Sequence, residues 1–377
     1  MSEPTAPDRP AGITYAEAGV DVEAGDKAVE LMKESVRRAT RPEVLGGLGG
    51  FAGMFDASGL ARYRHPVLAT STDGVGTKVA IAQALDRHDT IGFDLVGMVV
   101  DDIVVCGAEA LFMTDYIACG KVVPERIAAV VSGIAAACEQ ARVALVGGET
   151  AEHPGLLGPD DYDVAGAATG VVEHDDLLGP QRVRPGDVVL GLASSGLHSN
   201  GYSLVRRVVR HAGWALDRHV DDFGRTLGEE LLEPTRVYAA DLLDLVRTDG
   251  VDVHALSHVT GGGLAANLAR VLPPEVHARL DRGCWTPPPV FSTVGGLGGV
   301  PRADLERTLN MGVGFAAVVP ADSVDAATAH LTGRGIATWV MGEVFDASVA
   351  EMAAGEVARG AKGVDGGSVE LVGDHPA

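Results

Sequence analysis

Clusters of glycine that follow short apolar segments limit, more than any other feature, what this chain can fold into. The 377 residues include 50 glycines, which gather at the ends of predicted strands without a regular period. Glycine at such points allows tight turns and lets the backbone come close to a ligand. The pattern therefore predicts an α/β protein with strand-to-helix turns, and it excludes collagen-like sequences and linkers.

Apolar spacing predicts that helices and strands alternate along the whole chain. The expected helices are residues 21–40, 92–107 and 124–142, and the expected strands are residues 67–72, 111–120, 143–146, 163–172, 187–192 and 252–258. This order indicates two α/β halves, each with its own glycine-marked turns.

A segment that contains Pro180 and Pro185, residues 177–186, is the best candidate for a boundary between the halves. We accordingly expect two domains, and we expect both ends of the chain to lack a fixed structure. The assigned ranges are a disordered N-terminus (1–12), an N-terminal domain (13–175), a C-terminal domain (176–350) and a frayed, flexible tail (351–377).

The charge of the chain excludes some partners. Its formal net charge is −22, and an acidic protein repels both nucleic acid and anionic membrane. An anionic small substrate stays possible, because local donors and a divalent cation can hold it. The four cysteines form no CxxC pair, which indicates free thiols in a reducing compartment. With a polar N-terminus and no long apolar run, the chain is expected to be cytoplasmic.

The run from Asp73 to Lys78 places a carboxylate at the end of a strand. Gly74 and Gly76 can expose backbone N–H groups, and Thr77 and Lys78 add further donors. This combination suits a metal–phosphate site. The GxxxxGK[ST] spacing of a P-loop is absent. A plain β-turn with a surface lysine explains the same residues equally well.

The glycine cluster that includes Gly47, Gly49 and Gly50 formally fits G-x-G-x-x-A. A dinucleotide-binding reading requires a strand directly before the cluster. Residues 40–43 do not form one, so we reject that interpretation. A glycine-rich flap over a nucleotide and a simple flexible loop both remain compatible with the composition.

Asp94 and Asp101 are seven residues apart on a predicted helix and so share a face, with Met98 between them. Two acids on an otherwise apolar helix are costly to bury unpaired, so a shared cation would explain them. The alternative is that this face is solvated. Glu149 follows a buried strand at a glycine turn, where either a ligand or a helix start would account for a carboxylate.

Two further turns are rich in small donors and precede helices. One is residues 194–201, with Ser195, His198, Ser199 and Asn200, and the other is Thr260-Gly261-Gly262-Gly263. Each fits either an anion site or an ordinary capping turn. Two such turns in one domain favour the anion site. No Ser–His–Asp arrangement is defensible for His198, so a hydrolase triad is not proposed.

Six runs of sequence carry a resemblance to a known family. They are TDGVGTK (72–78), GFDLVGMVVDDIVVCGAEALF (92–112), VGGETAEHPG (146–155), DYDVAG (161–166), SSGLHSNGYSLVR (194–206) and HVTGGGLAANLARVLP (258–273). In this order and spacing the chain closely resembles the phosphoribosylformylglycinamidine cyclo-ligase (AIR synthetase) family, from about residue 13 to residue 345.

The resemblance implies a mixed α+β and α/β fold with two domains. The N-terminal domain is expected to contribute to a β-barrel shared across a homodimer, and the C-terminal α/β domain to bind the substrate. ATP with Mg²⁺ is expected between the glycine-rich segment and the acidic motifs. The implied ATP contacts are Gly47, Gly49, Gly50, Gly74, Gly76, Thr77, Lys78 and Asp94, and the implied metal ligands are Asp73, Asp94 and Asp101.

The resemblance also implies a substrate, phosphoribosylformylglycinamidine, and a reaction. ATP would phosphorylate the formyl amide oxygen, the amidine-side nitrogen would attack that carbon, and phosphate would leave as the imidazole ring closes. The implied catalytic residues are Asp73, Lys78, Glu149 and His198. The implied substrate contacts are Ser195, His198, Ser199, Asn200, Thr260, Gly261 and Gly262.

Two positions depart from the family pattern: many relatives carry Lys in place of Ala16 and Asn in place of Asp101.

Sister families share the expected fold, and a kinase is the best alternative enzyme. Selenophosphate synthetase would carry an early Cys, whereas the first here is Cys106. A dimeric ATP sensor without turnover is the non-enzyme alternative, but it has no use for a second anion site.

Overall fold

The computed structural model describes residues 19–47, 49–348, 357–360 and 363–376. The predicted disordered N-terminus and Ala16 lie outside these residues. The helices are α1 (Val22–Arg38), α2 (Val79–Leu85), α3 (Ile91–Val104), α4 (Pro124–Ala141), α5 (Tyr202–Ala212), α6 (Leu227–Leu231), α7 (Ala239–Val246), α8 (Gly263–Ala269), α9 (Pro289–Gly298), α10 (Arg302–Thr308) and α11 (Val324–Gly333).

The strands fall into two large sheets and two short hairpins. They are β1 (Val44–Leu45), β2 (Met54–Phe55), β3 (Pro66–Gly74), β4 (Glu109–Cys119), β5 (Ala144–Glu152), β6 (Tyr162–Glu173), β7 (Val188–Ala193), β8 (His219–Val220), β9 (Arg225–Thr226), β10 (Ala255–His258), β11 (Val276–Asp281), β12 (Val313–Val319), β13 (Thr338–Asp346), β14 (Val357–Arg359) and β15 (Ser368–Val372). The predicted alternation of helices and strands is confirmed, within a few residues at most ends.

The N-terminal half is a four-stranded sheet in the order β3-β6-β4-β5, in which only β4 and β5 run parallel. Helices α1, α3 and α4 cover one face of this sheet with apolar side chains such as Leu95, Val99 and Ile134. The other face carries exposed apolar side chains, including Leu68 at 60% and Tyr116 at 41% of their full exposure.

The C-terminal half is a seven-stranded sheet in the order β10-β12-β7-β13-β11-β15-β14. Helix α8 packs on one face with Leu264 and Leu268. The opposite face carries Leu190, Leu192 and Phe315, which belong to the same apolar core as the helices of the N-terminal half. The halves therefore share a continuous core. In the part of the chain that the structure describes, no helix is long and apolar enough to cross a membrane.

The expectation of a frayed tail is wrong for residues 368–372. They form β15, which pairs in parallel with β11 and antiparallel with β14. Ser368, Val369 and Glu370 are buried, and Val369 packs against the core beneath α8. The glycines on either side of this short strand obscure its pattern in the sequence.

The strand predicted at residues 143–146 is longer than expected, because β5 continues through the glycines to Glu152. Gly148 stands in register with Asp115 of β4, and a Cβ at Gly148 would lie 2.1 Å from the Asp115 Oδ1 atom. Glycine is therefore required there to make room for a neighbouring carboxylate. The prediction that Glu149 follows a strand at a glycine turn is wrong, since Glu149 lies within the strand.

Candidate active site

Lys78 lies where the two halves meet, and its side chain has no exposed surface. Its Nζ atom donates to Asp94 Oδ1 at 2.6 Å, to the His198 carbonyl at 3.0 Å and to the Glu233 carbonyl at 2.5 Å. An ammonium group has three N–H donors, so all of them are used within the protein. Lys78 therefore links the two halves through its hydrogen bonds. In this arrangement its ammonium group has no N–H left for the ATP contact or the catalytic role expected of it.

Asp94, on α3, is fully buried against the C-terminal half. Besides Lys78, its Oδ1 atom accepts hydrogen bonds from Thr235 N at 3.1 Å and Thr235 Oγ1 at 2.6 Å. Burial lowers the pKa of Lys78 and raises the pKa of Asp94, while the attraction between the two opposes both shifts. The cation that Asp94 meets within the protein is thus an ammonium group.

Asp101 is also fully buried and meets different partners. Its carboxylate accepts hydrogen bonds from Tyr238 N at 3.0 Å and Ala239 N at 2.7 Å, which are donors left open at the start of α7. Burial raises the pKa of Asp101 to about 7. A solvated face does not explain the two acids of α3, because both are buried. Asp101 is held by backbone donors of the C-terminal half, whereas Asp94 meets Lys78 and Thr235 through Oδ1, and its buried Oδ2 atom has no hydrogen-bond partner among the described residues.

Among the described residues, no three His, Cys, Asp or Glu side chains lie close enough together to hold a metal ion. The expected centre of Asp73, Asp94 and Asp101 is therefore not formed. Asp73 differs from the other two, because it is exposed at the end of β3, and its Oδ1 atom accepts from Gly74 N at 2.7 Å. Mg²⁺ keeps several waters and uses only one or two carboxylates beside substrate phosphates, and Asp73 fits that need.

The loop at residues 194–201 is fastened by its own side chains. Ser195 Oγ donates to the Pro234 carbonyl at 2.6 Å, and Ser199 Oγ donates to the Val75 carbonyl at 2.7 Å. His198 is 2% exposed, sits at φ +58° and accepts from Ser195 N through Nε2 at 3.1 Å. Burial holds the pKa of His198 well below its usual value, so the ring is neutral. These three side chains hold the loop in place.

Asn200 is the side chain of this loop that keeps hydrogen-bonding capacity. Among the described residues its Nδ2 atom has only the Met98 sulfur as acceptor, at 3.4 Å, and a thioether is a weak acceptor. Its Oδ1 atom lies 3.4 Å from where a Cβ of Gly261 would stand. The two small-residue turns predicted from sequence therefore do lie side by side, and Asn200 links them.

The glycine turn is built around Asn267, which the sequence analysis missed. Asn267 Nδ2 donates to the Thr260 carbonyl at 3.1 Å and to the Gly263 carbonyl at 2.9 Å. Gly262 and Gly263 have φ of +109° and +74°, and a Cβ on Gly263 would lie 1.7 Å from the Glu306 carbonyl oxygen. The turn therefore needs glycine both for its dihedral angles and for space. An Asn four residues after the last glycine of the turn was the available signal.

Asp102 and His258 are a second pair that the sequence analysis missed. His258 ends β10, two residues before the glycine turn, and its Nδ1 atom lies 2.9 Å from Asp102 Oδ1 on α3. The imidazole is buried, whereas 44% of the Asp102 side chain is exposed. The pair therefore joins the two halves at the edge of the cleft.

Asp73 and Glu149 lie on opposite edges of the N-terminal sheet. The register places Asp73, Gly166, Asp115 and Gly148 in one row across β3, β6, β4 and β5. Three strand spacings separate the ends of this row, about 14 Å. Within one chain these two expected catalytic acids cannot act on the same atom.

The cluster of Gly47, Gly49 and Gly50 forms the tip of the hairpin between β1 and β2. Gly49 has φ +98°, and the side chain of Phe51 is fully exposed. The described residues after the cluster continue into β2, the second strand of this hairpin.

The expected ATP contacts of the second glycine run, Gly74, Gly76 and Thr77, lie in the turn from β3 to α2. Gly76 has φ +70°. Thr77 Oγ1 lies 3.3 Å from Ser203 Oγ in the C-terminal half. This turn therefore faces the cleft between the halves.

A partly apolar cavity of about 300 Å³ lies between the hairpin and the open face of the sheet. Phe55, Tyr63 and Phe112 line it, with Arg41 and Arg62 at its margin. Its size suits a small planar group, and neither its position nor its lining was predicted from the sequence.

The comparisons with known proteins first define a class. The N-terminal domain of AIR synthase related proteins matches residues 56–172, and the C-terminal domain matches residues 184–353. Solved structures show the same fold at low identity. A thiamine-monophosphate kinase from Stenotrophomonas maltophilia K279a gives a TM-score of 0.61 at 19% identity and covers 92% of this chain and 97% of its own. A hydrogenase maturation protein HypE in complex with ATP gives a TM-score of 0.58 at 21% identity. That match covers 87% of this chain and 88% of the HypE chain.

Closer relatives then define the family. A phosphoribosylformylglycinamidine cyclo-ligase of Anaeromyxobacter sp. (strain Fw109-5) is 52% identical over 335 residues, 88% of this chain and 96% of the relative. The protein of the same name from Geobacillus kaustophilus (strain HTA426) is 49% identical over 342 residues, 90% and 98% of the two chains. The chain belongs to the phosphoribosylformylglycinamidine cyclo-ligase family.

Proposed function

We propose that this protein closes the imidazole ring of 5-aminoimidazole ribonucleotide from phosphoribosylformylglycinamidine, with ATP converted to ADP and phosphate. The observation that supports the proposal most directly is the sequence identity of 52% with a cyclo-ligase, in an alignment that covers 96% of that relative. An alignment of that extent includes both halves and the turns between them. The enzyme is an ATP-dependent ligase of purine biosynthesis.

The N-terminal half provides the ATP site in this proposal. The glycine-rich hairpin tip and the turn at Gly74 and Gly76 offer backbone N–H groups to phosphates. The cavity beside Phe55 and Phe112 offers an apolar place for a base. Mg²⁺ neutralises phosphate charge when it is bound, with Asp73 as the exposed carboxylate that fits it.

The two turns of the C-terminal half hold the phosphorylated end of the substrate. The donors available to an anion are the side-chain amide of Asn200 and the backbone N–H groups of Gly261 and Gly262. The Asn200 amide is available because the Met98 sulfur that it contacts is a weak acceptor. Ser195, His198 and Ser199 act indirectly, because their side chains fix the shape of this surface. The protein contributes mainly position and charge, and it forms no covalent intermediate with the substrate.

We further propose a homodimer that joins two N-terminal sheets through their open faces into a β-barrel. Leu68 and Tyr116 are large side chains that this face leaves exposed. The edges that carry Asp73 and Glu149 would then each border a second chain. The enzyme is placed in the cytoplasm, where Cys106, Cys119, Cys138 and Cys284 remain free thiols.

The test is to mix the purified protein with ATP, Mg²⁺ and phosphoribosylformylglycinamidine, and to measure aminoimidazole ribonucleotide and ADP together. Equal amounts of the two products are expected. ADP without imidazole would favour a kinase related to the solved thiamine-monophosphate kinase. ATP binding without either product would favour a sensor.

A further inference from the structure

We infer that Asp102, held by His258, is the carboxylate that docks the amidine group of the substrate. The inference rests on the proposed function and adds a specificity-determining residue to it. Neither side chain belongs to the ATP site, to the glycine-rich hairpin or to the turns assigned to the substrate phosphate.

The position of Asp102 follows from its neighbours on α3. Met98 and Asp102 are four residues apart and therefore project from the same face of the helix. Met98 contacts Asn200, and Asn200 in turn lies against Gly261. Asp102 itself contacts His258, which precedes the same glycine turn. The carboxylate thus lies beside both turns, within reach of a molecule whose phosphate they hold.

Asp102 is the carboxylate of α3 that remains available. Asp94 and Asp101 are fully buried and already accept hydrogen bonds from the C-terminal half. Asp102 has 44% of its side chain exposed, and among the described residues His258 is its one hydrogen-bond partner, through Oδ1. The Oδ2 atom and the remaining acceptor positions can therefore meet a ligand.

His258 fixes the direction of this carboxylate. The ring is 2% exposed and stacks on Phe315 with centroids 5.0 Å apart and planes 9° apart, so it cannot turn. Because an ionised Asp102 carboxylate can only accept, the Nδ1 atom of His258 carries a hydrogen. Its Nε2 atom is buried without a partner, a cost that a purely structural contact would not require. A buried imidazole that orients an exposed carboxylate is an arrangement suited to positioning a ligand.

The chemistry of the substrate matches this carboxylate. An amidine is a strong base and is cationic near neutral pH, with two N–H groups in one plane. A carboxylate accepts such a pair of parallel donors, as it does from arginine. One nitrogen of this group attacks the formyl carbon during ring closure, and it must first give up a proton to have a free electron pair. A carboxylate that holds the amidine can accept that proton and also aims the nucleophile.

The decisive variant is Asp102→Asn. Its amide oxygen still accepts from His258 Nδ1, so the contact between the halves survives while the negative charge is lost. We expect the KM for phosphoribosylformylglycinamidine to rise about 10-fold or more, since a charge-assisted hydrogen bond is lost. The KM for ATP should stay within about 2-fold. The exposed Asp222→Asn is the matched control and should leave both values unchanged.

A second readout uses the amide counterpart of the substrate, which carries a neutral C=O in place of the amidine. As a competitive inhibitor it should bind the wild-type protein more weakly than the substrate does, and bind Asp102→Asn as well as it binds the wild type. His258→Asn, whose amide N–H can replace Nδ1–H, should retain more substrate affinity than His258→Ala.

Either of two results would overturn the inference: an unchanged substrate KM in Asp102→Asn, or equal rises in the KM for substrate and for ATP. Thermal unfolding of each variant identifies any general loss of folding. A wild-type protein that closes no ring would instead overturn the proposed function, so the two failures are distinguishable.

Discussion

At the residue scale, the charged side chains that the sequence marks as ligand contacts differ in how many hydrogen-bonding positions they have left. Lys78 has none, because three acceptors surround its ammonium group. Asp101 and the Oδ1 atom of Asp94 are likewise occupied by partners inside the protein, whereas the buried Oδ2 atom of Asp94 has no hydrogen-bond partner among the described residues. Asp73, Asn200 and Asp102 lie at exposed or partly exposed positions of the same region. The spacing of motifs locates the cleft, but only side-chain packing shows which of its residues can meet a ligand.

The first prediction concerns Lys78. Lys78→Met should lower the free energy of unfolding by about 3–5 kcal/mol, because the buried Asp94 carboxylate loses its cation. Urea unfolding provides the measurement, with the exposed Lys121→Met as a control that should change stability by less than about 0.5 kcal/mol. In the double variant with Asp94→Asn the loss should be smaller than the sum of the two single losses. A Lys78→Met protein that is as stable as the wild type but no longer binds ATP would show instead that Lys78 contacts ATP.

The second prediction concerns the pH dependence that Asp101 causes. Burial raises the pKa of this carboxyl from 3.8 to about 7, so the folded state holds the proton more tightly than the unfolded state does. The contribution of Asp101 to stability therefore decreases as the pH rises from about 4 to about 7. Asp101→Asn cannot ionise, yet its amide oxygen can still accept from Tyr238 N and Ala239 N.

The stability of Asp101→Asn relative to the wild type should accordingly increase by roughly 2 kcal/mol between pH 5 and pH 8. Urea unfolding of both proteins across this range measures the difference. A difference that does not vary with pH would show that Asp101 ionises with an ordinary pKa.

At the element scale, the sequence predicts those helices and strands whose apolar pattern is long. Helices α1, α3 and α4 and strands β3, β4 and β6 fall close to their expected ranges. The pattern fails where glycine interrupts a strand for a tertiary reason, as at Gly148 in β5, where the Asp115 carboxylate fills the space of a side chain. It also fails at β15, because five residues between glycines carry too little periodicity. Contacts such as that of Asp102 with His258, 156 residues apart, leave no local signal.

The third prediction tests whether β15 is an integral part of the C-terminal sheet. Val369 is fully buried, whereas Val364, a few residues earlier, is 40% exposed. Val369→Asp should lower the free energy of unfolding by more than about 3 kcal/mol, since it buries an unpaired charge. Val364→Asp should have almost no effect. Equal stability of the two variants would indicate that the strand is dispensable.

At the scale of the whole molecule, the two halves are joined through buried polar contacts as well as apolar ones. The hydrogen bonds of the buried Lys78–Asp94 pair with His198, Glu233 and Thr235, and those of Asp101 with α7, cross from one half to the other. The apolar core is continuous between them. The open face of the N-terminal sheet is the contrasting surface, because its large apolar side chains have no cover within the described chain.

The fourth prediction follows from that open face. Leu68→Asp places a charge in the centre of the proposed dimer contact and should convert the dimer to monomers at micromolar concentration. Analytical ultracentrifugation measures the change. Val22→Asp, at an equally exposed position on α1, should leave the assembly intact. A wild-type protein that sediments as a monomer would contradict the proposed assembly, as would a Leu68→Asp protein that stays dimeric.

The buried hydrogen bonds of Lys78 have a consequence for chimeric proteins made from this chain and a relative. An exchange of C-terminal halves at the segment between β6 and β7 looks simple, because a single connection is cut. Yet Lys78 and Asp94 come from one side of that cut, and Thr235, His198 and Glu233 come from the other. A hybrid would need a C-terminal half that presents the same two carbonyls and the Thr235 donors to this pair, or it would leave buried polar groups without hydrogen bonds. The two halves must therefore match at this point, and the cleft between them opens or closes only to the extent that these contacts allow.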